Sequence, residues 1–116
     1  MSIRSRFTGL KYAGHAKGDK RAYHVFEGGE SLLVVSSGRS PRSYNANAVD
    51  RKGVEVVGRR FKGRKVTSRD VLKKAGRRDL FRERFDALNV LYAMVAMGRA
   101  QKLKERDGRS IVFRIK

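Results

Sequence analysis

Apolar positions along this chain follow two rhythms. In the first third they fall in short runs, Ala22–Phe26 and Ser31–Val35, on either side of Glu27-Gly28-Gly29-Glu30. Runs of that length around a glycine pair predict a β-hairpin. Upstream, Phe7, Leu10 and Tyr12 stand among glycines, which predicts a weak strand or an ordered loop. The stretch "SSGRSPRSYNAN", from Ser36 to Asn47, holds four serines and the only proline. It reads as a loop, and as the one candidate domain boundary.

From residue 48 the period lengthens. Val49, Val54, Val57 and Phe61 can share one helical face, whereas Gly53, Gly58 and the β-branched valines favour a strand at 54–57. We read the segment as helix. Thr67 with Asp70 then fits a capping box, and Val66 and Val71 fall where a hydrophobic staple belongs. Lys73 and Lys74 suit the negative end of the helix dipole, and Gly76 suits the position just past it. A short helix over about 68–75 follows from these signals.

A longer helix is predicted from Asp79 as N-cap to Gly98. Phe81, Phe85, Leu88, Tyr92 and Val95 repeat there at spacings of four, three, four and three. Its second half, "ALNVLYAMVAMG", is apolar on nearly every side, so something must cover it. Either the N-terminal strands do, or Leu91, Met94 and Met97 pack against a second copy in a homodimer. Beyond it, Asp107-Gly108 marks a two-residue turn, and Ile111, Phe113 and Ile115 alternate as a half-buried strand does. That register sets Leu103 against Val112 and Lys102 against Phe113.

Charge adds a partner to this picture. The 116 residues carry 29 Lys and Arg against 11 Asp and Glu, a net +18. Residues 1–46 have eight bases and three acids, +5, and residues 47–116 have twenty-one and eight, +13. Solubility in a small domain asks for a net charge of only about 2–8. A surplus of this size points to a polyanion. Nucleic acid ranks ahead of an anionic membrane, because the basic stretches lack the apolar face of an interfacial helix. The densest stretch, Gly58 to Arg78, sets ten Lys and Arg around a single acid, yet it contains the best-specified helix start in the chain. Caps there fix the flanking cations in a definite geometry, which a flexible basic tail does not need.

The remaining composition excludes more than it adds. No cysteine is present, so disulfides and thiolate metal sites are ruled out, and a reducing compartment fits. No apolar run nears the ~18 residues of a membrane span. No h-region follows the basic Met1–Arg6. A soluble, cytoplasmic, nucleoid-associated chain is the expectation, with a strand and loop region over 1–44 and a basic domain over 45–116.

The order capped short helix, basic turn, longer helix, glycine and basic hairpin resembles a winged helix-turn-helix. "KVTSRDVLKKAG" is similar to the first helix of that motif. "LFRERFDALNVLYAMVAMGRAQKL" is similar to a recognition helix running into a wing strand, and "ERDGRSIVFRIK" to the wing and its return. The likeness is at the level of fold and spans 48–116. It implies an α+β fold, with a small N-terminal β-hairpin region followed by a winged helix-turn-helix and a C-terminal β-hairpin wing.

In such a fold the start of the recognition helix enters the major groove while the turn and wing hold phosphates. On this chain the resemblance assigns base contacts to Arg82, Arg84 and Asn89, with Asp86 on the same face. Arginine can pair with guanine and asparagine with adenine. It assigns phosphate contacts to Arg59, Arg60, Lys62, Arg64 and Lys65 before the capped helix and to Thr67 and Ser68 at its N-terminus. Arg77 and Arg78 after the helix, Lys104, Arg106 and Arg109 on the wing, and Arg39 and Arg42 in the N-terminal loop complete that set. Duplex DNA is the implied partner, bound without catalysis, cofactor or metal. A regulator of particular promoters and an architectural protein are both compatible with these residues.

Two other classes are weighed against it. RNA binding would use Tyr12, Tyr23, Tyr44 and Phe26 as stacking faces beside Arg39 and Arg42, although Tyr23 and Phe26 read better as core. A small nuclease would need Asp19, Glu27 and Glu30 as metal carboxylates, and each is better explained as a turn residue. His15 and His24 have no acid at metal-ligand spacing, and no nucleophile or phosphate-loop motif is present.

Overall fold

The computed structural model describes residues 9–38 and 43–116. Among these, the chain is mixed α+β, with three helices and two antiparallel sheets. The first sheet comprises β1 (Lys11–Lys17), β2 (Ala22–Gly28), β3 (Ser31–Ser37) and β4 (Tyr44–Asp50), in that spatial order. The helices are α1 (Arg51–Arg60), α2 (Ser68–Lys74) and α3 (Arg84–Ala96). The second sheet joins β5 (Lys65–Val66), β6 (Ala100–Asp107) and β7 (Ser110–Ile115) in the order β5-β7-β6.

The predicted hairpin is β2–β3, with Gly28 opposite Ser31 across its turn. The loop expected to reach Asn47 ends sooner. Tyr44–Asp50 pairs along its whole length with β3, from Ser37↔Tyr44 to Ser31↔Asp50. A boundary drawn after residue 44 therefore falls at the start of the fourth strand. That strand also runs straight into α1, because the Asp50 side chain accepts a hydrogen bond from the Lys52 amide at 2.8 Å and caps it. Asn45 and Asn47 hid the strand, since asparagine is depleted in strands.

Helix α2 starts as its signals predict. Thr67 Oγ1 accepts from the Asp70 amide at 3.2 Å, and the Asp70 carboxylate accepts from the Thr67 amide at 2.9 Å. Val66 and Val71 are buried beside it. Helix α3 begins later than expected, at Arg84 rather than after Asp79. The Asp86 carboxylate accepts from the amides of Arg82 and Glu83, at 2.9 and 3.2 Å, and this sets the start. The Phe81 amide instead donates to the Arg77 carbonyl, closing a turn ahead of the helix. The expected apolar stripe breaks accordingly: Phe81 is buried, but Phe85 is 50% exposed.

Residues Ala87 and Asn89–Met94 are all buried, so α3 has no wet flank through its middle. It packs on all four strands of the first sheet, on α1, on α2 and on β6. Tyr92 stacks flat on Tyr23 with ring centroids 4.1 Å apart, and meets Phe113 edge-on at 5.5 Å. One aromatic column thus ties the first sheet, α3 and the second sheet together. Burial pushes the Tyr92 phenol up to about 12, so it stays neutral. Leu91 and Met94, expected as alternative dimer contacts, are fully buried within the chain, and Met97 is partly buried. Cover by the N-terminal strands is the alternative found.

The C-terminal hairpin keeps Lys102 opposite Phe113, as its sequence predicts. Its turn lies one residue later, on Gly108-Arg109, because Asp107 pairs with Ser110. A register shift between Lys102 and Arg106 absorbs the difference, and removes the expected pairing of Leu103 with Val112.

Two substitutions test this architecture. Tyr92→Ala should cost roughly 3–5 kcal/mol in urea unfolding, whereas Tyr92→Phe, which keeps the stack, should stay within about 0.5 kcal/mol. Gly14 has φ +140°, and a Cβ there would collide with the Ala96 carbonyl oxygen at the end of α3. Gly14→Ala should therefore lower stability by about 2–3 kcal/mol, or more where the backbone cannot shift.

Candidate nucleic-acid interface

Acids in this chain are mostly committed to holding it together. Asp50, Asp70 and Asp86 cap the three helices. Asp19, in the β1–β2 turn, accepts from Lys102 Nζ at 2.7 Å and from an Arg106 terminal nitrogen at 2.8 Å. That pair of contacts ties the first sheet to β6. Lys65 Nζ lies 2.8 Å from Glu105, and Glu27 lies 3.9 Å from Lys11 and 3.6 Å from Arg51. The Arg77 guanidinium grips Asp79 with two parallel bonds of 2.9 and 2.8 Å. Glu30, Glu55, Glu83 and Asp107 stand outside these contacts, and the rest of the exposed charge is cationic.

One group of these cations surrounds the α2–α3 connection. Lys73, Arg77, Arg78 and Arg82 ring an open depression of about 590 Å³, floored by Leu72 and Phe81. The capping box and its staple fix the approach of α2 to this depression. Gly76, with φ +70°, turns the chain out of that helix. The fork between Arg77 and Asp79 stiffens the turn, and the buried Phe81 anchors its far side. Arg60 Nε donates to the Lys74 carbonyl, which joins the C-terminal ends of α1 and α2. The side chains of Lys73, Arg78 and Arg82 take no partner among the described residues. They are therefore available to an external anion.

Other predicted contacts divide four ways. Arg59, Lys62, Arg64, Arg84, Lys104 and Arg109 are exposed, with side chains unpartnered among the described residues. Arg60, Lys65, Arg77 and Arg106 are engaged as above, so only part of their donor capacity is left for an external anion. Thr67 and Ser68 are 3% and 6% exposed, and the Thr67 hydroxyl is spent on the cap, which removes both as phosphate contacts. Asn89 is 5% exposed, and its Nδ2 donates to the Phe85 carbonyl at 3.1 Å. Arg82 and Arg84 are the base-contact candidates that stand exposed. Arg39 and Arg42 lie outside the described residues.

Lys73 was missed as a contact because its place in the last turn of α2 was already explained by the helix dipole. Arg69 and Arg84 carried a signal that went unread. Each stands in the first turn of a helix, where the dipole disfavours a cation by a few tenths of a kcal/mol to about 1 kcal/mol. An anionic ligand reverses that penalty.

The nuclease carboxylates do not assemble. Asp19 and Glu27 are held by cations, and no group of three His, Cys, Asp or Glu among the described residues could hold a metal ion. His24 Nδ1 and the Tyr12 hydroxyl share a hydrogen bond of 2.8 Å on β1 and β2. No helix of the described residues is long and apolar enough to cross a membrane. Comparison with family models, curated proteins and solved structures returned no match to this chain.

The Arg77–Asp79 fork has a pH signature. Its hydrogen bonds hold the Asp79 carboxyl down to about 2, against an ordinary 3.8. A carboxylate whose folded pKa is depressed stabilises the fold above its unfolded pKa, and loses that contribution as pH falls toward its folded pKa. Asp79→Asn should therefore lower Tm modestly at neutral pH, and the difference from wild type should close as pH falls from about 4 to about 2, which flattens the acid decline. An unaltered acid limb in thermal melts would show that the fork adds nothing.

Proposed function

We propose that the protein binds nucleic acid, duplex DNA first, through the cationic surface centred on the α2–α3 connection, and that it does so without catalysis. The observation that carries this reading is the ring of Lys73, Arg78 and Arg82 around a rigid turn, unpaired in a chain whose acids are spent elsewhere. Spacing supports it as well: cations held on capped helices present charge in a fixed register, as phosphate contacts require.

The winged helix-turn-helix expectation belongs to the same proposal. It is supported by the run of elements α1, β5, α2, α3, β6 and β7 and by the strand order β5-β7-β6, which lays the wing strands beside a short strand between the first two helices. It is qualified by the cover on α3. In this chain the four-stranded sheet occupies the flank that a recognition helix would lay in a groove. Contact through α3 is thereby confined to its N-terminal end, at Arg84 in the first turn and Arg82 just before it, and most of the affinity falls to phosphates. Lys104 and Arg109 extend that contact along the wing.

A fluorescence-anisotropy titration of one 20-base-pair DNA at several salt concentrations tests this. Each phosphate contact contributes about −0.9 to the slope of log affinity against log salt. Lys73→Ala with Arg78→Ala should weaken binding about tenfold at moderate salt, and flatten the slope by roughly 2. Arg109→Ala should flatten it by about 1 if the wing touches the backbone. A clear preference for a matched RNA duplex would overturn the DNA assignment, and an unchanged slope in the double variant would overturn the site.

A further inference from the structure

Phe85 is the one large hydrophobic side chain among the described residues that stands out in solvent, half exposed at the first turn of α3. Its surroundings are polar. Two clefts meet at it, one of about 90 Å³ and one of about 310 Å³, and they share Phe85, Asn47 and Asn89 in their walls. The first runs toward Asp50 and Gly53, and the second toward Tyr23, Ser36 and Asn45 on the inner face of the first sheet. Asn45 and Asn47 lie two apart on β4, so they line the same face.

Asn89 gives this feature a direction. The residue as a whole is 5% exposed, and Nδ2 is fixed on the Phe85 carbonyl. The Oδ1 atom takes no hydrogen bond from the described residues, yet no buried side-chain oxygen or nitrogen there is sealed off without a partner. The oxygen therefore opens onto the clefts that the residue lines. The Asn47 carboxamide is likewise unpartnered among the described residues. An amide oxygen that opens onto a cleft can accept from a donor on a ligand placed there.

An exposed aromatic face beside carboxamides that offer both donors and acceptors is the chemistry that recognises a planar heteroaromatic ring. Arg84 adjoins Phe85 in sequence, and Arg21 lines the larger cleft, so a negative charge flanking the ring would also be met. We propose that the cleft between β4 and the first turn of α3 receives one unpaired nucleobase of the nucleic acid held by the basic surface. A paired base cannot enter it, because its face and hydrogen-bonding edge are both occupied within the duplex. The ligand is thus a bulged, flipped or single-stranded nucleotide. This inference rests on the nucleic-acid reading of the basic surface, and its test separates the two.

The test compares a labelled 20-base-pair DNA with the same duplex carrying one bulged adenine. Wild type should bind the bulged duplex about tenfold more tightly, toward the lower end of what one stacked base contributes. Phe85→Ala and Asn47→Ala should reduce that preference to within about twofold, while affinity for the perfect duplex stays unchanged. Thermal melts of both variants check that they fold. Equal affinity of wild type for the two duplexes, or a preference that survives Phe85→Ala, overturns the base site and leaves the basic surface standing. Failure to bind either duplex overturns the reading of the basic surface instead. The cleft is then decided by titrating adenosine monophosphate and following the Phe85 ring resonances by NMR: shifts that weaken in Asn47→Ala support it, and their absence overturns it.

Discussion

A helix without a polar face has to be enclosed, and the enclosure of α3 organises the rest of this chain. Its residues from Ala87 to Met94 are buried save for a partial opening at Leu88. Each neighbouring element is shaped to reach it. β1 comes close enough through Gly14, which has no side chain to strike the Ala96 carbonyl. α1 crosses it at Gly53, where a Cβ would meet Val90 at 3.2 Å. The stack of Tyr23 on Tyr92 against Phe113 then fixes the two sheets to opposite sides of one ring. With apolar area worth about 25 cal/mol per Å², a helix covered on all sides is the largest single store of burial available to so short a chain.

That enclosure needs few charges, which explains how a chain at +18 can fold. Acids go where they do most for geometry: three at helix starts, two in the forks of Asp19 and Asp79 that tie one segment to another. None of these acts through bulk neutralisation. Some of the cations left over are set on the end of α1, the segment before β5 and the C-terminal hairpin, and others on α2 and the turn after it. Self-repulsion is tolerated there because the turn is pinned by the Phe81 anchor and the Arg77 fork rather than by charge balance.

Local signals were legible in the sequence, and long-range ones were not. The capping box at Thr67 and Asp70 and the β2–β3 hairpin depend on residues within a few positions, and the structure contains both. The C-terminal hairpin was also foreseen, although its turn slid by one residue, since the compensating register shift depends on packing rather than on Asp-Gly. The start of α3 was misplaced because Phe81 and Phe85 fit a helical period, while the competing bond from Phe81 to Arg77 leaves no mark in that pattern. β4 was missed for a related reason. Asn45 and Asn47 are poor strand formers, and they make sense only beside Asn89, more than forty residues away. The site was read with the same bias: Arg78 and Arg82 were found as charges, whereas the burial of Asn89, Thr67 and Ser68 depends on the whole fold.

On the proposed reading, enclosure also decides what kind of contact this protein can make. A major groove about 12 Å wide admits a helix or a two-stranded ribbon, and α3 brings a four-stranded sheet along its flank. Only the end of the helix is slender enough to approach a duplex, so sequence information from a paired base must pass through Arg82 and Arg84. Phosphates face no such restriction, because Lys73, Arg78, Lys104 and Arg109 are exposed on the surface. The same sheet that blocks the groove supplies Asn47 and Asn45 beside Phe85. An unpaired base would reach those residues without any groove being entered. Covering the recognition helix therefore exchanges readout along the groove for readout at the helix end, where backbone charge and an extruded base can be held by neighbouring parts of one rigid surface.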